Sequence, residues 1–252
     1  MARFPLFATA ILFGRLCVAQ TPTAPIDQLI PWLLDEQSQL RGIPFSEVIL
    51  DATGKRVLPF DPKNETDQRV LKQIGMALDE TLRRMNASDS VVQNVKRINE
   101  VSSHFEDSLR ELLNASPGLK CDFPRTNDGK LQRFGYPDLR IVDVASNKAF
   151  YLDPKLYAAG SRDSSFRTFY FEPKVSTNKI HDHAVHFIAG IEHQPLMTSV
   201  STASAHTGAT HWKFTRWELI DLANFKVRLK AEFQGSNRDM YRTEAVVATG
   251  PK

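Results

Sequence analysis

The sequence predicts an α+β fold of the α/β kind: a mixed β-sheet flanked by helices, with a helical N-terminal part. Three observations carry this. Residues 68–85 and 91–113 place apolar side chains at steps of three and four. Two apolar runs, Tyr136–Val144 and Ala149–Tyr157, are split by the short polar break Ala145–Lys148, as two strands joined by a tight turn would be. A hydrophobic content of 42% in 252 residues is enough to bury one substantial core.

Residues 1–19 have the layout of a signal peptide. Arg3 supplies the positive start, Phe4–Phe13 the apolar run, and Cys17-Val18-Ala19 a small-residue cleavage pattern. So short an apolar run cannot span a bilayer, which predicts a secreted or periplasmic protein with no stable membrane association after cleavage. Loss of Arg3 and Arg15 leaves 30 basic against 29 acidic residues, from 32 and 29 in the full chain. That balance excludes a polybasic binder and puts any nucleic-acid contact on local charge in a cleft. Cleavage also leaves Cys121 as the single cysteine, which excludes an intramolecular disulfide.

Residues 20–66 are proline-rich and irregular in pattern, with a short strand expected over Phe45–Leu50 and a turn at Asp51-Ala52-Thr53-Gly54. One α/β domain is expected from residue 67 to 252. Its first helix, 68–85, carries the stripe Val70, Leu71, Ile74, Leu78, Leu82 and Met85. Its second, 91–113, carries Val91, Val95, Ile98, Phe105, Leu109 and Leu112, with one gap at Ser102, and stops at Asn114-Ala115-Ser116-Pro117-Gly118. Gly118–Phe134 reads as a polar loop, and the sheet is expected from 136 onward.

The hairpin is where chemistry concentrates. With a two-residue loop at Ser146-Asn147, Asp138 falls opposite Lys155 and Asp153 falls diagonal to it. Strand side chains alternate, so all three share one face. Neighbouring carboxylates repel each other, and a divalent cation relieves that repulsion. A hard cation such as Mg2+ or Mn2+ takes oxygen ligands and leaves positions for water and phosphate. A lysine beside them can orient the water and stabilise developing charge.

This pattern resembles the core of the PD-(D/E)XK, or restriction-endonuclease-like, nuclease superfamily. Pro137-Asp138 matches the first motif and Asp153-Pro154-Lys155 the second. The resemblance implies a restriction-endonuclease-like mixed sheet and hydrolysis of phosphodiester bonds in nucleic acid. It also implies a magnesium or manganese ion on Asp138 and Asp153, with Lys155 assisting the water. A helix ahead of the hairpin adds an acidic ligand in this superfamily. Glu106, at the margin of the apolar stripe, suits that role better than Glu100 or Glu111. Pro154 departs from the pattern, because it has no N–H to give a central strand; a bulge or a re-aimed site is expected there.

The remaining candidates surround this centre. Ser165–Lys174 is strand-like and ends in Glu172-Pro173-Lys174, expected to border the site. His181, His183 and His186 are read as lining the cleft. Zinc is the less favoured metal, since no signature such as H-E-x-x-H occurs. Met197–His211 reads as a loop rich in small and polar residues. Phe225–Phe233 reads as a half-exposed strand whose Lys226, Arg228 and Lys230 could follow a nucleic-acid backbone. A non-catalytic secreted binding protein on the same scaffold remains the second reading. Its discriminator is whether the Asp138 and Asp153 carboxylates lie within metal-bridging reach, share a face and are open to solvent.

Overall fold

The computed structural model describes residues 26–34, 41–165, 168–196, 211–230 and 236–248. The expected leader over residues 1–19 and most of the loop expected over 197–211 lie outside the described residues. The chain divides into two compact units. One, residues 1–40 with 230–252, contains helix α1 (Ile26–Leu34) and a single-turn helix at Asn237–Met240 started by a Ser236–Asp239 capping box. No helix among the described residues is long and apolar enough to cross a membrane.

The other unit, residues 41–229, holds the sheet. In order it runs β1 (Ile43–Pro44), α2 (Phe45–Thr53), β2 (Val57–Leu58), α3 (Glu65–Met85), α4 (Ser102–Ala115), β3 (Leu119–Asp122), β4 (Leu139–Asp143), β5 (Ala149–Ala158), β6 (Ala184–Leu196), β7 (His211–Asp221) and β8 (Lys226–Val227). Six strands form one mixed sheet in the order β2-β6-β5-β4-β3, with β7 also paired to β6. β5 and β2 run parallel to β6, and the other pairs of this sheet are antiparallel.

Each face has its own core. Ile141, Phe150, Leu152, Phe187 and Ala189 pack with Val70, Ile74 and Leu78 of α3 and with Phe105, Leu109 and Leu113 of α4. Tyr151 and Ala184 instead join Phe45 and Ile49 of α2, with Phe169 and Phe171 alongside. The alternation of neighbouring residues between the two clusters is the strand period made visible.

Several expectations are corrected. Phe45–Leu50 is helical, because Phe45 and Ile49 lie one turn apart and are both buried, and Gly54 at φ 70° ends the helix by donating to the Leu50 carbonyl. The helix expected over 91–113 breaks into 3-10 turns at Val91–Asn94 and Ile98–Glu100 before α4. Gln93 explains the break. Its buried amide donates to the Met85 and Trp212 carbonyls and accepts from Trp212 N–H. Val95 and Arg97, between the two turns, are extended.

The polar loop expected over 118–134 contains β3, whose Leu119 and Cys121 point inward. The described part of 165–174 forms no strand; Phe169 and Phe171 leave the sheet plane to meet Phe45 edge-on. The strand expected over 225–233 shrinks to β8, paired with β1, and residues 231–233 lie outside the described residues.

The hairpin loop is Val144-Ala145-Ser146-Asn147, two residues longer than expected, since Asp143 N–H donates to the Lys148 carbonyl. The Asp143 carboxylate accepts from Ser146 N–H and Oγ, and Asn147 takes φ 55°. A shift of two preserves the face of every side chain, whereas a shift of one would have reversed it.

Pro154 causes no bulge. The Asp143–Lys148 bond shows that even-numbered residues of β5 aim their backbone groups at β4. The β4 ladder ends at Leu139–Leu152, so Pro154 lies past it, while the parallel ladder to β6 runs on unbroken to Ala158. Replacing Gln93 with Leu, which leaves the Trp212 N–H and two carbonyls without partners, is expected to cost about 2–3 kcal/mol in urea unfolding.

Candidate active site

Asp138 sits one residue before β4, and Asp153 and Lys155 sit on β5. Extending the ladder by one residue puts Asp138 across from Asp153 and makes Lys155 the diagonal neighbour, the reverse of the expected roles. The face is the expected one. Lys155 Nζ lies 2.5 Å from Asp153 Oδ1 and 3.8 Å from Asp138 Oδ2.

Burial sets the electrostatics. Asp153 is 0% exposed and Asp138 8%, so the two carboxylates share a face but are not open to solvent as the nuclease reading expected. Burial and the neighbouring Asp153 carboxylate push the Asp138 carboxyl up to about 9. Burial works against the Lys155 ammonium, but Asp153 and Asp138 outweigh it and hold its pKa above the usual lysine value. Asp153 Oδ2 is buried and accepts from no N–H among the described residues, and the neutral Asp138 carboxyl is the group that hydrogen-bonds to Asp153.

Glu106, on α4, is felt by Asp138 and Lys155 through space and lies near Asp153. Burial raises its pKa, against the pull of Arg133, whose guanidinium reaches Glu106 Oε2 at 2.9 Å. Among the described residues, no three His, Cys, Asp or Glu side chains converge as a ready metal cluster. The close pair is Asp138 and Asp153. Their donor set suits a hard divalent cation: two carboxyl groups buried side by side and hydrogen-bonded to each other, with a lysine in contact.

The histidines are committed elsewhere. His186 is fully buried, and burial drives its pKa down to about 3, so the ring is neutral; Tyr136 Oη lies 2.6 Å from its Nδ1. His183 Nδ1 accepts from Arg56 N–H, and His181 Nε2 meets the Arg125 carbonyl. Only His186 approaches the acidic pair, and it does so through Tyr136, whose hydroxyl feels Asp153 and Asp138. Glu172 and Lys174 form an exposed ion pair at 2.8 Å. Lys226, Arg228 and Lys230 are exposed on β8 and the segment after it.

Two cations were not anticipated. Lys179 is 1% exposed, with its Nζ 3.4 Å from the Gln132 carbonyl. Burial pushes its pKa down while Asp138, Asp153 and Glu106 pull it up. Arg133 bridges Glu106, Asp107 and the Ser103 carbonyl. Both lie on irregular segments, where no periodicity marks a side chain as inward. The only available signal for Lys179 was its apolar neighbour Ile180.

A mixed sheet between helices, with its hairpin presenting two acids and a lysine on one face, is a restriction-endonuclease-like fold. The chain belongs to the Type II restriction enzyme MjaV family, whose model matches residues 38–244. It is 26% identical over 218 residues to the Type II restriction enzyme MjaV of Methanocaldococcus jannaschii, covering 82% of this chain and 89% of that protein. Membership places it in the PD-(D/E)XK superfamily that its motifs resemble.

The raised Asp138 pKa carries a stability signature. Its folded value of about 9 exceeds the unfolded value of about 3.9, so its neutral form contributes stability that is fully present below the lower value and is lost as pH rises through the upper. In EDTA, wild type minus Asp138→Asn should therefore lose more than about 1.4 kcal/mol, one pKa unit's worth, across that range. Urea unfolding at several pH values measures it, and a flat difference would refute the assignment.

Proposed function

We propose that the protein is a divalent-metal-dependent nuclease that hydrolyses phosphodiester bonds in double-stranded DNA, centred on Asp138, Asp153 and Lys155. The observation that carries this is the buried pair of carboxyl groups with a lysine in contact. The relative of Methanocaldococcus jannaschii is a type II restriction enzyme, which supports DNA as the substrate class.

Asp138 and Asp153 would hold magnesium or manganese, with Glu106 near enough to add negative charge. A cation there supplies a more acidic bound water and offsets charge building on the phosphate. Binding it requires Asp138 to give up its proton, so the carboxyl pair couples metal uptake to proton release. Lys155 keeps its proton and donates N–H to the attacking water or to a phosphate oxygen, fixing the direction of attack. Tyr136 and the neutral His186 close the floor beneath the acids and keep bulk water out. The leader pattern over residues 1–19 supports export, to the periplasm or the medium, as part of the same reading.

The test incubates the full chain with linear, circular and single-stranded DNA and with RNA, in magnesium, manganese or EDTA. Metal-dependent cutting of duplex DNA is expected, with circular DNA opened if the attack is internal. Lys155→Ala should cut at least about 100-fold more slowly while remaining folded. A folded wild-type protein that cleaves none of these substrates would leave the binding-protein reading standing instead.

A further inference from the structure

The face that carries Asp153 and Lys155 does not end at β5. Asp153 lies opposite Ile188 of β6, which lies opposite Ile220 of β7; Lys155 lies opposite Gly190, which lies opposite Glu218. A cavity of about 720 Å³ opens along this row. Lys155 is part of the lining, and Tyr157, Phe169, Ile188, Gly190 and Ile220 are among the other residues that form it. We propose that this groove receives a nucleobase turned out of the substrate duplex beside the cleaved phosphate. This inference rests on the nuclease reading.

Three observations select that occupant. The first is position: Lys155 belongs both to the acidic centre and to the groove, so whatever fills the groove adjoins the phosphate being cut. The second is charge. A DNA backbone carries one negative charge per nucleotide and calls for free cations along its track. Here Arg162 is already held by Glu218 at 2.8 Å and Lys155 by Asp153 at 2.5 Å, and the remaining wall is uncharged, aliphatic and aromatic with the hydroxyls of Ser161, Ser164 and Thr168. Such a wall suits an uncharged planar ring, which stacks on aromatic side chains whatever its identity.

The third is direction. In a stacked duplex the bases point inward, away from the phosphates, so a cleft level with the scissile phosphate is reached by a base only after rotation out of the stack. The volume suits a ligand of nucleotide size, since small-molecule sites run from about 300 to 1,000 Å³. Polar groups for reading the base edge are present too. The Arg162–Glu218 pair stands at the wall, and the Tyr157 hydroxyl lies beside Glu218 and Arg216.

Gly190 keeps the floor open. A Cβ there would meet Tyr157 Cε1 at 3.5 Å and Ile220 Cδ1 at 3.6 Å, which is ordinary contact. Alanine therefore fits, whereas leucine would project into the groove.

The experiment first maps the cut position with wild-type protein. Duplexes carrying 2-aminopurine at each position flanking the cut are then bound in calcium, which is used in place of magnesium to hold the uncut complex. One position should brighten several-fold on binding, as unstacking relieves quenching. Gly190→Ala should keep that rise, and Gly190→Leu should lose it and cleave about ten-fold or more slowly. Tyr157→Ala, which removes the stacking ring without filling the floor, should also weaken the rise, and serves if the leucine variant does not fold. Cleavage by wild type with no brightening at any flanking position would overturn the groove proposal and leave the nuclease standing, as would a folded Gly190→Leu that cuts like wild type. No cleavage by wild type would overturn both.

Discussion

The register of the β4–β5 hairpin is the constraint on which the rest depends, because it alone brings Asp138 and Asp153 together. That register is set by the loop, and the loop is held from two directions. Asp143 folds its carboxylate over Ser146 N–H and Oγ from within. From outside, α3 grips both ends of the turn: Arg69 reaches Asp143 at 2.6 Å, and Lys148 reaches the buried Asp67. Asp67 is itself fixed by accepting from Asp61 N–H. A buried acid of this kind is stable only while its partner is present, so the helix and the turn define each other's position. The helix thus acts on the site through the turn, while its apolar stripe anchors it to the opposite face of the sheet.

The same constraint explains why the site was readable before the fold was. Loops of two and four residues differ in length but not in parity, so either gathers Asp138, Asp153 and Lys155 on one face. Which pair lies directly opposite was not readable, because Asp143-Val144-Ala145-Ser146-Asn147 contains turn residues that suit both. The helix α3 was legible from its stripe, since tertiary contacts only reinforce it. Phe45–Leu50 was not, because six residues do not separate a strand from a helix and the outcome is decided by the aromatic cluster around Phe45. The break after Asn94 was hidden for a related reason: it is made by Gln93 bonding to Trp212, far along the chain.

The site balances its charge without regular structure to announce it. Asp138, Asp153 and Glu106 face Lys155, Lys179 and Arg133, and the last two come from segments that no pattern marks. The balance is incomplete where it matters chemically. Lys155 holds Asp153 and Arg133 holds Glu106 closely, whereas Lys179 reaches a carbonyl at 3.4 Å. Asp138 is therefore the acid without a cation in close contact, and burial resolves the deficit by raising its pKa to about 9. A near-neutral chain can in this way keep a strongly polarised centre, since the charge resides in side chains taken out of water rather than in the surface total.

Strand length decides where that centre opens. β4 stops at Leu139, but β5 runs to Ala158, so the far half of β5 has lost its partner on one side while keeping β6 on the other. Asp153 and Lys155 lie just past the point of divergence, where Asp153 stays buried and the Lys155 side chain reaches the groove. Proline is admissible at 154 for the same reason, since no β4 carbonyl waits for its missing N–H. The departure from the superfamily's motif and the opening of the site therefore have one cause. The groove follows from it as well: with β4 gone, the sheet floor beyond Lys155 is formed by β5, β6 and β7 alone, and Gly190 at its centre keeps that floor low.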